Sequence, residues 1–167
     1  GNNRFKKFKN MKNILVTGGT GFIGSAICSM LVKKGYKVTI FDNNSRGKYK
    51  NIIRLKKAKF IKGDIRNLNQ VVKASKGCDY IIHLAFLNGT QFFYSHPDLV
   101  LDIGVKGMIN VIEASKLNKI KKFILASSSE VYQTPSIIPT PEEVPLIVPN
   151  LKNPRYSYGA GKIISEV

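Results

Sequence analysis

Residues 17–24 read Thr17-Gly18-Gly19-Thr20-Gly21-Phe22-Ile23-Gly24, directly after the apolar run Ile14-Leu15-Val16. A strand that runs into a glycine-spaced turn and then an amphipathic helix is the local design that holds a dinucleotide pyrophosphate. The spaced glycines have separate tasks. Gly18 permits the tight turn, Gly21 removes a side chain where backbone must approach a phosphate, and Gly24 lets the helix pack closely. The N–H groups and dipole at the helix start, around Phe22 and Ile23, then face the anion.

The next strand completes the unit. Lys37-Val38-Thr39-Ile40-Phe41 ends at Asp42. That acid lies about twenty residues beyond the turn, where a carboxylate takes both ribose hydroxyls of an adenosine. A carboxylate there repels a 2′-phosphate, so the reading favours NAD over NADP, with Arg46 softening the preference. Asn43 and Ser45 share the loop and join the expected cofactor-binding set. The competing reading is that Asp42 only starts a turn in Asp42-Asn43-Asn44-Ser45.

The 167 residues are enough for one domain with a real core. No apolar run approaches a membrane span and no secretory signal is visible, so a cytoplasmic protein is expected. Cys28 and Cys78 lack metal spacing and read as small packing residues in a reducing compartment, and no metal site is expected. The charge balance is 27 basic to 10 acidic residues, a formal net +17. The lysines are scattered among Asn and Ile rather than gathered on one stretch, which argues against nucleic acid as the partner and suits an anionic small ligand. The densest basic run, Arg4 to Lys9, precedes Met11; residues 1–11 are expected to be a basic leader, with Gly1 to Asn10 disordered.

Strands and helices alternate through residues 12–167. Helical stretches are expected at 51–57, 68–75 and, as one long helix opened by Pro97, 97–117; further strands are expected at 58–61, 80–84 and 122–126. Repeated βα order predicts an α/β fold, a Rossmann-type doubly wound parallel sheet with helices on both faces. Residues 134–154 carry six of the seven prolines and read as a long surface loop beside the ligand end of the sheet.

Tyr158 and Lys162 are four apart and share one helix face. A lysine ammonium near a phenol favours the phenolate, so a lowered Tyr158 pKa is expected. Such a tyrosinate beside a bound NAD takes a proton from a sugar hydroxyl while the carbon gives up hydride, and a serine hydroxyl in the same site holds the substrate oxygen. The serines stand at 127–129, after the expected fifth strand.

With these motifs together, the chain resembles the extended short-chain dehydrogenase/reductase superfamily, in its NAD-dependent nucleotide-sugar epimerase/dehydratase branch, over residues 12–167. The resemblance rests on the glycine turn, Asp42, Gly63-Asp64-Ile65-Arg66, His83-Leu84-Ala85, Ser127-Ser128-Ser129-Glu130-Val131-Tyr132 and Tyr158-x-x-x-Lys162. It implies that Asp64 and Ile65 border adenine, that Leu84, Ala85 and the adjacent Phe86 line the cofactor channel, that Tyr158 is the base, that Lys162 is its partner on the nicotinamide ribose, and that Ser128 is the catalytic hydroxyl. Ser129 and Glu130 take positions used for later steps by dehydratases and decarboxylases. It also implies a homodimer through the helices at 97–117 and 156–167, and a nucleotide-sugar substrate. Residues 12–167 are then expected to be the NAD-binding domain of a longer protein, incomplete before the last strands and the substrate domain, and inactive alone.

Three positions depart from the family pattern. Phe86 follows His-Leu-Ala where a second Ala is usual. Gly104 stands where the long helix usually carries Asn, and Ser129 replaces the acid of the dehydratase Asp-Glu pair. The expected activity is a transient oxidation of a sugar hydroxyl in an epimerase. The alternatives are a dehydratase or decarboxylase using Glu130, and an NAD-binding module without turnover.

Overall fold

The computed structural model describes residues 11–167; the leader expected at 1–11 lies outside them but for Met11. Its contacts fall into two compact units. One comprises the described residues up to 85 together with Asn110–Leu125, the other Phe86–Ile109 with Ala126–Val167.

The first unit holds a five-stranded, all-parallel sheet. In chain order the strands are β1 (Asn13–Thr17), β2 (Lys37–Asp42), β3 (Ala58–Lys62), β4 (Tyr80–His83) and β5 (Lys122–Leu125), and in space the order is β3-β2-β1-β4-β5. Thr17 lies level with Phe41 on one side and with His83 on the other, so the ends of β1, β2 and β4 are aligned. Strand order reverses between β1 and β4, the switch point where doubly wound sheets open a ligand crevice beyond the strand ends.

Alternation sets the core. Ile14 and Val16 pack with Val38 and Ile40 against Cys28 and Leu31 of α1 (Phe22–Lys33). Leu15 points to the opposite face and is equally buried, as are Phe41 and Ile81. Burial on both faces, as a parallel sheet with helices on each side requires, holds for the inner strands β1 and β2, whereas the edge strands β3 and β5 carry exposed residues such as Lys59 and Lys122. Burial pushes the Cys28 thiol up to about 12 and the Cys78 thiol up to about 11, so each is a packing residue. The helix α2 (Leu68–Ser75) starts where expected, with the Asn67 side chain accepting from the Gln70 N–H as its N-cap.

Two expectations need correction. The helix expected at 51–57 is a single 3₁₀ turn, Tyr49–Asn51, followed by irregular turns. The Thr20 carbonyl accepts from both the Lys48 N–H and the Asn51 side chain, so the segment is tied to the glycine turn instead of continuing as a helix. The long helix expected at 97–117 is not uniform. After a separate short helix α3 (Thr90–Ser95), α4 (Pro97–Leu101) passes through a π-helical stretch (Asp102–Lys106) into α5 (Gly107–Leu117).

In the second unit the proline-rich segment has no regular element until a 3₁₀ turn at Pro154–Tyr156, which leads into α6 (Ser157–Glu166). A cluster of Leu87, Phe93, Val100 and Tyr158, flanked by Phe86, Leu99 and Ile103, forms its core.

Candidate active site

The glycine turn is built as a cradle of bare backbone. Gly18 has φ +71°, and a Cβ there would come within 2.8 Å of the Ala85 N. A Cβ on Gly24 would run into the Gly18 carbonyl oxygen, and would come within 2.7 Å of the Gly19 Cα. Gly24 therefore lets α1 lie on the turn itself, a closer approach than helix-to-sheet packing. The helix starts at Phe22 with no side-chain cap and no acid in its first turn. Its positive end is thus left uncompensated by the chain. The Thr20 hydroxyl is buried there without a hydrogen-bond partner. An uncapped helix terminus, a side-chain-free turn and an unpartnered hydroxyl together fit a diphosphate.

Asp42 sits at the end of β2, half-buried. One carboxylate oxygen accepts from the Thr20 N–H at 3.0 Å and the other from the Asn44 N–H at 2.8 Å. Asp42 is therefore oriented by the glycine turn as well as by its own loop, with acceptor capacity remaining on each oxygen. Asn43, Ser45 and Arg46 follow it on the loop, the latter two exposed. The Arg66 guanidinium grips Asp64 and, with lesser help from Asn43, holds its carboxyl below the usual carboxylate range. Ile65 is buried, and its carbonyl accepts from the Asn110 side chain at 2.9 Å. Phe22 and Ile23, by contrast, are exposed apolar residues.

A knot the sequence did not reveal joins β1 to β4. The Leu84 and Ala85 N–H groups donate to the Thr17 hydroxyl oxygen, at 3.2 and 3.3 Å. The Nδ1 of buried His83 lies 2.7 Å from the same hydroxyl oxygen. Leu84 and Ala85 are thereby pinned beside Gly18.

The second unit brings together Ser128, Tyr158 and Lys162. The 3.6-residue period puts Tyr158 and Lys162 on the inner face of α6, and each is buried. Ser128 lies beside the phenol and favours its ionised form, and its hydroxyl accepts from the Glu130 N–H to cap a 3₁₀ turn over Ser129–Val131. The ring of Tyr158 is stacked on Phe93 at 5.1 Å and meets the edge of Phe86 at 4.9 Å. The expected lowering of the Tyr158 pKa does not hold for the chain by itself. Burial pushes the phenol up, and the neighbouring Ser128 only partly offsets this. Lys162 lies 5.8 Å from the Tyr158 ring centre and donates instead to the Ala126 carbonyl. Burial brings its ammonium down to about 8, with the Glu166 charge opposing.

Glu130 is held by Arg155, a residue without a sequence signal, through paired bonds of 2.9 and 3.0 Å. This fork fastens the 3₁₀ turn after β5 to the approach to α6, and Arg155 also lies 5.4 Å over the Phe93 ring. Ser129 is exposed. Among the described residues no group of three or more His, Cys, Asp or Glu is placed to hold a metal, and no helix is long and apolar enough to cross a membrane.

The sequence profile of the NAD dependent epimerase/dehydratase family matches residues 14–167. The chain is 32% identical over 166 residues to the bifunctional UDP-glucose 4-epimerase and UDP-xylose 4-epimerase 3 of Arabidopsis thaliana, covering 93% of this chain and 46% of that protein. The structure of an epimerase from Methanothermobacter thermautotrophicus matches with a TM-score of 0.84 at 33% identity, over 93% of this chain and 46% of that one. UDP-glucose 4-epimerase from Bifidobacterium longum, in complex with NAD+ and UDP, matches with a TM-score of 0.83 at 30% identity, over 93% and 47%. The chain spans about half the length of these relatives.

Proposed function

Because the chain belongs to the NAD dependent epimerase/dehydratase family, we propose that it supplies the cofactor-binding and proton-handling part of a nucleotide-sugar epimerase, acting on a UDP-hexose such as UDP-glucose. The observation that carries this reading is the burial of Tyr158 and Lys162 on one helix face, with Ser128 beside the phenol.

In this reading residues 12–167 form the NAD-binding domain, and the two parts of the site do different work. The turn of Gly18, Gly21 and Gly24, with Phe22 and Ile23 opening the helix, holds the pyrophosphate. Asp42, aided by Asn43, Ser45 and Arg46, takes the adenosine ribose, which selects NAD over NADP. Asp64 and Ile65 border the adenine, and Leu84, Ala85 and Phe86 line the channel. NAD, when bound, takes up and returns a hydride at a sugar carbon. Tyr158 accepts the proton of the sugar hydroxyl at its phenol oxygen and later gives it back. Ser128 holds the sugar oxygen through that transfer. Lys162, largely protonated at neutral pH, provides the local positive charge that the phenolate needs.

Glu130 takes a holding role here, because Arg155 occupies both of its oxygens. This favours epimerisation over the dehydratase and decarboxylase alternatives, which need an acid or base at Ser129 or Glu130. We also propose a homodimer through the helices at 97–117 and 156–167, where Leu101, Ile109, Ile112 and Ile164 are exposed. Mass measurement at micromolar concentration tests it, and a strict monomer contradicts it. The functional test incubates the longer protein expected to carry residues 12–167 with NAD and UDP-glucose and follows the sugar C4 proton by NMR. Formation of UDP-galactose supports the reading. Release of water or carbon dioxide from other nucleotide sugars points to the alternatives, and tight NAD binding without turnover points to a module that does no chemistry.

A further inference from the structure

Phe86 and Gly104, two of the positions at which the sequence leaves the family pattern, meet in the second unit. A Cβ on Gly104 would come within 2.6 Å of the Phe86 ring carbon Cε2, and closer still to Cζ. On the other side, a Cβ on Gly161 would come within 3.0 Å of the same Cζ. The ring is therefore seated between two side-chain-free positions, one in the π-helical stretch and one on α6. Any residue larger than glycine at 104 would expel it. π-Helical turns are commonly found at functional sites, and this one has its buried glycine under the ring.

The face of that ring carries a cation. The Lys162 Nζ lies 4.4 Å from its centre, well inside cation–π range. Lys162 is only 3% exposed. A buried ammonium needs partners for three protons, and among the described contacts the Ala126 carbonyl takes one. The charged and titratable groups around it are few. On its own helix stand Tyr158 and Glu166, and Glu166 is bonded to the Ser127 hydroxyl. On the π-helical stretch, Asp102 and Lys106 pair with each other at 3.7 Å.

We infer that Phe86 is a positioning residue for Lys162: its ring, admitted by Gly104 and Gly161, holds the ammonium against the Ala126 carbonyl. The inference rests on the proposed function only for the use made of Lys162; the seating of the cation is a property of the chain itself.

The test is NMR of the full chain carrying 13C at the lysine ε carbons, with the Lys162 signal identified by its loss in Lys162→Met. The Lys162 signal is expected upfield of the exposed lysines, shifted by the ring current of Phe86. In Phe86→Leu, which keeps the bulk but not the π face, its titration midpoint should fall by about 0.5–1.5 pH units as the cation loses its support. In Phe86→Tyr it should stay. A midpoint that is unchanged or raised in Phe86→Leu overturns the inference and leaves Phe86 a packing residue. If Phe86→Leu does not fold, denaturant unfolding decides instead. Gly104→Ala should lower the wild-type midpoint, and cost little in a Phe86→Ala background. Equal loss in both backgrounds overturns the seating. None of these measurements uses cofactor or turnover, so a failed NAD titration with a positive NMR result would count against the proposed function alone.

Discussion

At the start of α1 the chain leaves a positive end uncovered; on α6 it covers one. The turn is rich in glycine, and α1 starts with no side-chain cap and no acid in its first turn; the one carboxylate that reaches the turn, Asp42, is held at the Thr20 N–H. Around Lys162 the opposite is done: a cation is buried and supplied with a carbonyl and an aromatic face. In the proposed function the first arrangement receives an anion from outside, and the second keeps a charge in place while Tyr158 handles a proton. The contrast teaches that one region works through what the backbone lacks, and the other through what distant side chains bring.

The sharpest way to separate the regions is Tyr158→Phe. If α6 carries only proton chemistry, turnover of the longer protein expected to carry this chain should drop by about 10²- to 10⁴-fold while NAD affinity stays within about twofold, as comparison of single-turnover rates with calorimetric binding would show. The cradle should respond in the reverse sense. Gly24→Ala drives a methyl group into the Gly18 carbonyl, an overpacking that should cost about 1–3 kcal/mol of stability in urea unfolding and abolish NAD binding.

A titration sharpens the comparison further. Burial holds the Lys162 pKa at about 8, against 10.5 for an ordinary lysine. Between those values the unfolded chain binds the additional proton. This group therefore weakens the fold at and below pH 8 and ceases to do so as pH rises toward 10.5. Stability measured against Lys162→Met should accordingly rise with pH through that window; a flat difference would mean that Lys162 is solvated. The smallest effect concerns the fork of Arg155 on Glu130. Glu130→Gln should cost about 1 kcal/mol in denaturant unfolding, and a turnover loss far beyond that would return Glu130 to the chemistry.

The two regions also differ in how legible they are. The turn and the sheet are local: short, mainly apolar strand segments, glycines at fixed offsets and an acid at a strand end can be read from the sequence, and β1 to β5 stand within a residue or two of their expected bounds. The surroundings of Tyr158 are not local. Glu130 and Arg155 are 25 positions apart, and nothing in Asn153-Pro154-Arg155 signals the pairing. The Phe86–Gly104 seat is invisible because a lone glycine in a helical pattern reads as a tolerated residue. The direction of the Tyr158 pKa was misjudged for the same reason, since spacing shows the lysine four residues on but not the depth of the phenol. The short helix at Thr90–Ser95 escaped because Thr-Gln-Phe-Phe-Tyr-Ser is rich in strand formers; its Phe93 is buried in the cluster with Tyr158.

The central claim is that the glycine turn and Asp42 carry the recognition of the dinucleotide's adenosine diphosphate end, while Tyr158 handles the proton. Calorimetric titration of the folded chain with NAD and NADP, repeated on Asp42→Ala and Tyr158→Phe, tests it most directly. NAD should bind more tightly than NADP, Asp42→Ala should weaken NAD by about 10- to 100-fold and erase the preference, and Tyr158→Phe should bind as the wild type does. A folded chain that binds neither dinucleotide, or that loses NAD equally with Tyr158→Phe, would contradict the account.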